Sequence, residues 1–540
     1  MSDRSLIKCT IYCVCLLGGV FGSARLQAQS AQQADSVVQD IDFLRHANAW
    51  MSSNTLTGLS HLPVPKFSTA LLGFRKDNGP FRNYFQSDNS YTVSAVTESY
   101  YRLRPGIVVQ GKLQYDNFNG RNMGGSALID PYKHPLDVDE WVDSTAGNKK
   151  MEYYNLVGAI SAAVSSRLTL GAKLDYTAAN YAKRRDLRHV NNLTDINARV
   201  GAAYRLGENW ELGVEYGYTR RIESLRFQIV GNTDRQYLSL INYGVFFGMS
   251  ERFADNAITG ETRPFVNNTH SGALTLGGTL APGVVLVNRA SYGQRKGYMG
   301  KKGSTTIVFT EHEATEYTYE GDLSIRRGDL LHQFSLRAGY EQLSNNENVY
   351  RAETTPGQRT TIVYYGQNEV MSQDISNLSV QYTAYGRLVN HNPGWILQAG
   401  GQYTSRQQTG IRYPYFRKQD LNYFRVQVAG TKNFWVDEHQ LSISLGLAYG
   451  AGSGTAKNDG VYIPPSSQNM PASRDSYLYR EFEYFTSPRV QVEPGVRYAT
   501  SIQQNITGFI KLSTMLTRAF DTEYTGNHYN SFLVTVGCNF

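Results

Sequence analysis

Charged residues recur at every second position within segments whose alternate positions are apolar. The basic set is Lys112, Lys173, Arg199, Arg289, Arg326, Arg337, Arg387, Arg425, Arg497 and Lys511. The acidic set is Asp116, Asp175, Asp195, Glu211, Glu215, Glu316, Glu320, Asp322, Glu341 and Glu493. Such a constellation can select a polar solute by charge and size, or it can pair across an interior and close it; both readings stand. Metal chemistry has no support, because the ten His form no HxxxH pair and no Cys accompanies them. No GxSxG nucleophile elbow occurs. His270 and His332 share faces with Leu274 and Phe334, away from a wet catalytic surface. No catalytic, metal or cofactor-binding residue is expected, and an enzyme is the third choice of function, built from a Ser–His pair on distant segments.

The elements that must position these charges are strands. In Ile107–Asn117, Ile107, Val109, Gly111, Leu113 and Tyr115 lie on one face, while Val108, Gln110, Lys112, Gln114 and Asp116 lie on the other. This strict period of two marks a two-faced strand. It recurs from Leu168 to Tyr176, from Trp210 to Thr219, from Thr315 to Arg326 and from Gln440 to Tyr449. Several strands reach a Tyr eight residues after their start: Ile107 to Tyr115, Leu168 to Tyr176, Val284 to Tyr292, Trp395 to Tyr403 and Leu441 to Tyr449. Eight residues at ~3.3 Å each, tilted ~40°, rise about 20 Å, near the height of the apolar band between two aromatic girdles. Charges facing lipid at mid-height would cost ~2–4 kcal/mol each for Arg or Lys, so they face inward. Short turns at Pro105-Gly106, Ser165-Ser166, Gly207–Asn209, Pro282-Gly283, Gly328-Asp329 and Asn390–Gly394 alternate with long connections near 118–150, 222–268, 342–373 and 451–477. The pattern predicts an all-β, transmembrane antiparallel barrel of about 18 strands, within a range of 16–20, over residues 67–540. Within 222–268, Tyr237–Gly248 is either a strand or a loop folded inward.

The composition agrees. The chain has 38 Tyr, 5 Trp and 50 Gly in 540 residues, with a mean hydropathy of −0.41. Arg4 and Lys8 precede the apolar run Cys9–Phe21, and Leu26-Gln27-Ala28 offers a cleavage site, so residues 1–28 are expected to be a signal peptide. Three of the four Cys lie within it, which leaves Cys538 without a disulfide partner. Removing residues 1–28 takes away three cations and one anion and lowers the net charge from +7 to +5. That is too mild to imply nucleic acid. No later apolar run approaches the ~20 residues of a membrane helix, which leaves a closed barrel as the spanning structure. The last strand places Phe532, Val534, Val536, Cys538 and Phe540 on one face. This ending resembles the terminal strand of outer-membrane barrels, whose last aromatic residue is an assembly signal; the resemblance implies that Phe540 is read by the barrel-assembly machinery.

Residues 29–540 resemble an uncharacterised family of bacterial outer-membrane β-barrel proteins, a domain-of-unknown-function family. The carrying stretches are Phe43-Leu44-Arg45 to Gly58-Leu59, the first hairpin and the final strand. The resemblance implies fold and location in the outer membrane, with lipid around the barrel, and it brings no catalytic residue. TonB-dependent receptors resemble the chain in compartment but carry a plug of over a hundred residues, whereas only residues 29–66 precede the barrel here. Porin-like and fatty-acid-transporter-like architectures are nearer, the latter having a short N-terminal hatch. Within residues 29–66, Asp35–Ser52 reads as an amphipathic helix with Val37, Val38, Ile41, Leu44 and Ala47 on one face, either a plug in the lumen or a cap beneath it.

Two basic clusters are expected in outer loops: Lys183, Arg184, Arg185 and Arg188, and Arg295, Lys296, Lys301 and Lys302. They suit lipopolysaccharide phosphates or an anionic solute, or they are simply solvated. Gly300–Thr305 lacks the GxxxxGK[ST] order of a phosphate-binding loop. The leading expectation is a channel or transporter for a small solute. Its rival is a closed barrel that partners an outer-membrane receptor or secretion complex.

Overall fold

Alternating apolar and polar side chains give each strand a lipid face and a lumen face, and 18 such strands close into one barrel. The computed structural model describes residues 41–540, apart from 47, 232–233, 255–256, 261, 355, 358, 389–391, 465–469 and 504. The expected signal peptide lies outside the described residues. So do residues 29–40 of the pre-barrel segment.

All neighbouring strands pair antiparallel in chain order. The first, Lys66–Asn78, pairs with the second, Asn89–Arg104, and also with the last, His528–Asn539. Phe74 lies opposite Val534 and Leu72 opposite Val536, and Ser68 exchanges backbone hydrogen bonds with Phe540 at 2.8 and 2.9 Å. Among the described barrel strands closure leaves no edge, so the backbone ladder runs around the whole ring.

The outward residues form an apolar belt: Leu72, Leu113, Leu174, Val214, Leu274, Leu336, Val380, Val428, Leu445 and Ile510 are all exposed. Tyr292, Tyr403 and Tyr449, from the eight-residue spacing, stand exposed on this same face. In water a belt of this size would drive aggregation; in a bilayer it is the surface that holds the protein. Even-numbered single-chain barrels of this kind are those of the bacterial outer membrane.

The barrel strands run from 12 residues to 26, and Leu330–Glu353 and Thr361–Gly386 are the longest. A span needs only about 9–11 residues, so this hairpin projects beyond the membrane. The expected loop 342–373 is therefore mostly strand, with only 354–360 as its connection. Strand His439–Val461 likewise takes in the first part of the expected loop 451–477. Of 222–268, residues 222–228 and 263–268 are barrel strand, and Leu238–Asn242 with Phe247–Arg252 forms a hairpin of a separate, five-stranded sheet.

Candidate functional site

Period-two alternation turns the charged residues at mid-height of the strands between Asn89 and Glu353 inward, where they meet one another. Arg289 bridges Glu215 at 3.3 Å and Glu320 at 3.4 Å. Arg337 holds Asp322 at 2.8 Å and reaches Glu320 at 3.9 Å. Arg199 lies 2.6 Å from Glu215, and Arg295 lies 3.4 Å from Glu316 and 3.0 Å from Glu341. Asp116 accepts from Gln114, Asp175 from Asn155, and Asp195 from Arg221. The guanidinium fork serves two carboxylates at once, which a lysine ammonium does less well. Lys112 and Lys173 are half-buried on the same wall, and Glu211 is buried beside His61.

The wall from Thr361 to Asn539 carries fewer charges in its middle, its ion pairs Arg406–Glu481 and Arg417–Asp459 lying toward the long-loop end. Arg425 lies 3.6 Å from Glu493, Arg497 donates to Gln440 at 2.9 Å, and Glu493 and Lys511 are exposed although they face the lumen. Exposure inside a barrel means water-filled space. Three expected positions differ. Arg387 stands in the turn after Thr361–Gly386, with φ 53°, because the strand ends one residue earlier. Lys183 is buried against Glu140 at the end of its strand, and Arg295 belongs to the inner ion-pair ladder; neither lies in a solvated loop. Arg184, Arg185, Lys296, Lys301 and Lys302 are exposed, and Arg188 pairs with Asp186 at 2.9 Å.

At the short-turn end, residues 41–62 cross the lumen. The expected single helix is two short ones, Ile41–His46 and Ala49–Ser52, because Asn48 takes an extended conformation and caps the second through Trp50 N at 2.9 Å. Thr57–His61 follows as a 3-10 helix. Phe43 packs edge-on against Tyr385, with Leu331 beside them. Arg45 pairs with Glu98 and donates to the Tyr100 hydroxyl at 3.0 Å. Leu56 N donates to Glu215 at 2.8 Å, and Arg102 donates to the Leu62 carbonyl. These contacts reach widely separated strands around the wall. Two glycines allow the close approach: a Cβ on Gly277 would lie 2.6 Å from the Trp50 ring, and one on Gly171 would lie 2.7 Å from Leu56 Cβ. A cavity of about 190 Å³ lies between the segment and the wall, lined by Arg45, Trp50, Asn54, Tyr100, Lys173 and Arg199.

At the long-loop end, three loops knit a second closure. Gly125–Ser126, Asp137–Glu140, Leu238–Asn242, Phe247–Arg252 and Ala472–Ser473 form the small sheet. Its core of Leu128, Leu136, Val138, Ile241 and Tyr243 packs on lumen-facing Leu225, Phe265 and Met299 of the barrel. Polar groups fix it from several sides. Glu140 faces Lys149 at 3.2 Å and pairs with Lys183; His134 bonds Glu223 at 2.8 Å; Tyr243 donates to Glu347 at 2.7 Å. Helix Asp475–Thr486 adds Glu481, which pairs with Arg406 at 2.8 Å. Sequence reasoning missed Glu140, Lys149, Glu223 and Arg406. Alternation through Lys149, Met151 and Tyr153 was the available signal, hidden by reading 118–150 as one loop.

Asp139 in this sheet is fully buried, and its Oδ1 has no hydrogen-bond partner. Burial and then the adjacent Asp137 push its carboxyl well above the usual carboxylate range. A raised folded-state value means that folding retains a proton the unfolded chain releases. Stability of the small sheet is thus fully present below pH ~4 and is lost as pH rises through the folded value. Replacing Asp139 with Asn is expected to flatten this dependence, read as the pH profile of loop cleavage by an added protease.

The family model that matches this sequence is described as a family of unknown function, DUF6850, and it covers residues 56–540. The chain belongs to that family. The matched DUF6850 region takes in the barrel, both closures from Leu56 onward and the final strand. No curated protein matches the chain. Among solved structures, it is similar to the ferric preacinetobactin receptor of Acinetobacter baumannii, at 10% identity and a TM-score of 0.39, over 88% of this chain and 79% of that one. It is also similar to the outer membrane transporter YddB of Escherichia coli, at 8% identity and a TM-score of 0.40, over 87% and 81%.

Proposed function

We propose that this protein is an outer-membrane transporter that passes a small solute through a lumenal chamber closed at both ends at rest. One observation carries the reading: side chains in the middle of the lumen are accessible to solvent, while those at its described ends are packed. Asn377, Gln381, Gln402, Glu493 and Lys511 face inward and are exposed, between residues 41–62 on one side and the small sheet on the other. A barrel of this size is wide enough for an aqueous passage unless something fills it. Among the described residues the filling lies in two layers. A solute shifts such closures only as far as it binds the open form better than the closed one.

Planar-bilayer recording tests this. The full chain is expected to conduct rarely. The double variant Gly277→Leu/Glu140→Ala, which disturbs both closures, is expected to conduct steadily. Silence of the double variant, with the barrel shown to be folded, would overturn the transport reading in favour of a closed scaffold.

A further inference from the structure

A transporter, if that reading holds, needs a place for its solute, and the less charged wall contains one built site. Gly400 faces the lumen at its centre. Along its own strand, Gln398 and Gln402 flank it at the second position on either side. Across the sheet, Gln381 lies directly opposite on one neighbour and Gln427 on the other. Alternation fixes this, because Val380, Leu397, Tyr403, Val426 and Val428 hold the lipid face. The glycine therefore sits at the floor of a ring of four carboxamides, about 5 Å away across strands and about 7 Å along its own. Gln381 and Gln402 are exposed, and Gln398 and Gln427 half-buried. The nearest charges are already paired: Arg425 with Glu493, and Arg337, opposite Ser379 on the next strand, with Asp322.

We infer that this carboxamide ring is a subsite for an uncharged, hydroxyl-rich solute, a neutral sugar unit. Each carboxamide offers two donors and an acceptor oxygen, and each sugar hydroxyl is both donor and acceptor, so adjacent hydroxyls find complementary groups around the ring. Gly400 adds no side chain of its own, and Gln427 leans over it, with Cγ and Nε2 each 3.7 Å from where a Cβ would stand, so a sugar face at this floor meets the Gln427 carboxamide directly. A charged solute at the ring would surrender its hydration to carboxamides whose nearest charged neighbours, Arg425 and Arg337, are already paired. An apolar one would strip water from four carboxamides without replacing their hydrogen bonds.

Saturation-transfer NMR on the full chain in nanodiscs tests the inference. The probes are the neutral trisaccharides maltotriose, cellotriose and xylotriose, against anionic trigalacturonate and cationic chitosan trimer. The measurement is repeated in the Glu140→Ala chain, so that a shut outer closure does not hide the site. At least one neutral trimer is expected to bind, with both charged trimers weaker. Gly400→Leu, which fills the floor, and the milder Gln381→Ala/Gln427→Ala pair are expected to weaken binding by roughly tenfold, the loss of a few hydrogen bonds. Charged trimers binding as well as neutral ones, neutral binding that survives both variants, or no neutral binding in either background would each overturn the inference. Binding is read here without flux. Binding without conductance would sink the transport reading alone, and conductance without binding would sink the sugar subsite alone.

Discussion

A chain carrying leucine in place of Gly277 is expected to admit a membrane-impermeant thiol reagent to the chamber from the turn side, where the parent chain excludes it. The reporter is a cysteine at Gln402, in a chain whose own Cys538 is serine. The reason is steric. A Cβ on Gly277 would already lie 2.6 Å from the Trp50 ring and 3.1 Å from Val287, so a leucine must expel the indole. Overpacking of this kind costs about 1–3 kcal/mol. The indole is the centre of its segment: it stacks on His61 with centroids 4.7 Å apart, and Ala49 and Val287 complete its pocket. Once Trp50 is out, the middle of the segment keeps only polar contacts such as Leu56–Glu215, while Phe43 against Tyr385 and Leu62 against Tyr100 and Val108 hold its two ends. Leucine at Gly111, which faces lipid with nothing within 4 Å of its Cβ position, is the control and should leave labelling unchanged. Unchanged labelling in Gly277→Leu would mean that this segment does not close the turn end.

Replacing Glu140 with alanine is expected to release the opposite closure. Its carboxylate stands between two ammonium groups, Lys149 and Lys183, whose side chains are completely buried, and His189 lies 3.6 Å away. Lys149 retains the Ser126 carbonyl at 2.7 Å and Lys183 retains Ser144 at 3.1 Å, but neither contact supplies negative charge. Breaking a buried ion cluster by removing one side costs ~3–5 kcal/mol, because the orphaned charges stay buried. A two-stranded hairpin held by short pairings has little stability of its own to offset that. The expected readout is protease cleavage within 229–262, with the barrel still resistant. Glutamine at position 140 keeps the acceptor and loses the charge, so it should fall between alanine and the parent. Resistance equal to the parent in Glu140→Ala would mean that the sheet is held by its apolar core alone.

The barrel was legible because its signal is repeated and local. Leu168 to Tyr176 and Leu441 to Tyr449 state their two faces within nine residues, and the solvent on each side enforces them. The ion-pair ladder was legible for the same reason: Glu215, Arg289, Glu320 and Arg337 occupy lumen parity on four strands, and register then brings them together. The small sheet was not legible. Asp137-Val138-Asp139-Glu140 places three acids in four residues, which in water is a loop. It becomes a strand only because Lys149, Lys183, Tyr84 and Asn242 neutralise or hydrogen-bond those acids from distant parts of the chain. The Gly400 ring lay between these cases. Its parity was readable, but its shape depends on which residues stand opposite Gly400, and that comes from register across two interfaces.

The pairing of Phe247 with Ser473 also sets an order of events. Between those residues the chain lays down eight barrel strands, from Arg263–Ala281 to His439–Val461. The small sheet therefore cannot acquire its last strand until most of the barrel wall exists. Contacts this distant in sequence carry a large loop-closure cost and form late. Until that pairing forms, the hairpin Leu238–Asn242/Phe247–Arg252 keeps one unpaired edge. The seal at this end thus depends on residues brought together across eight barrel strands, and a finished barrel that lacked only the Phe247–Ser473 pairing would stand with its small sheet incomplete.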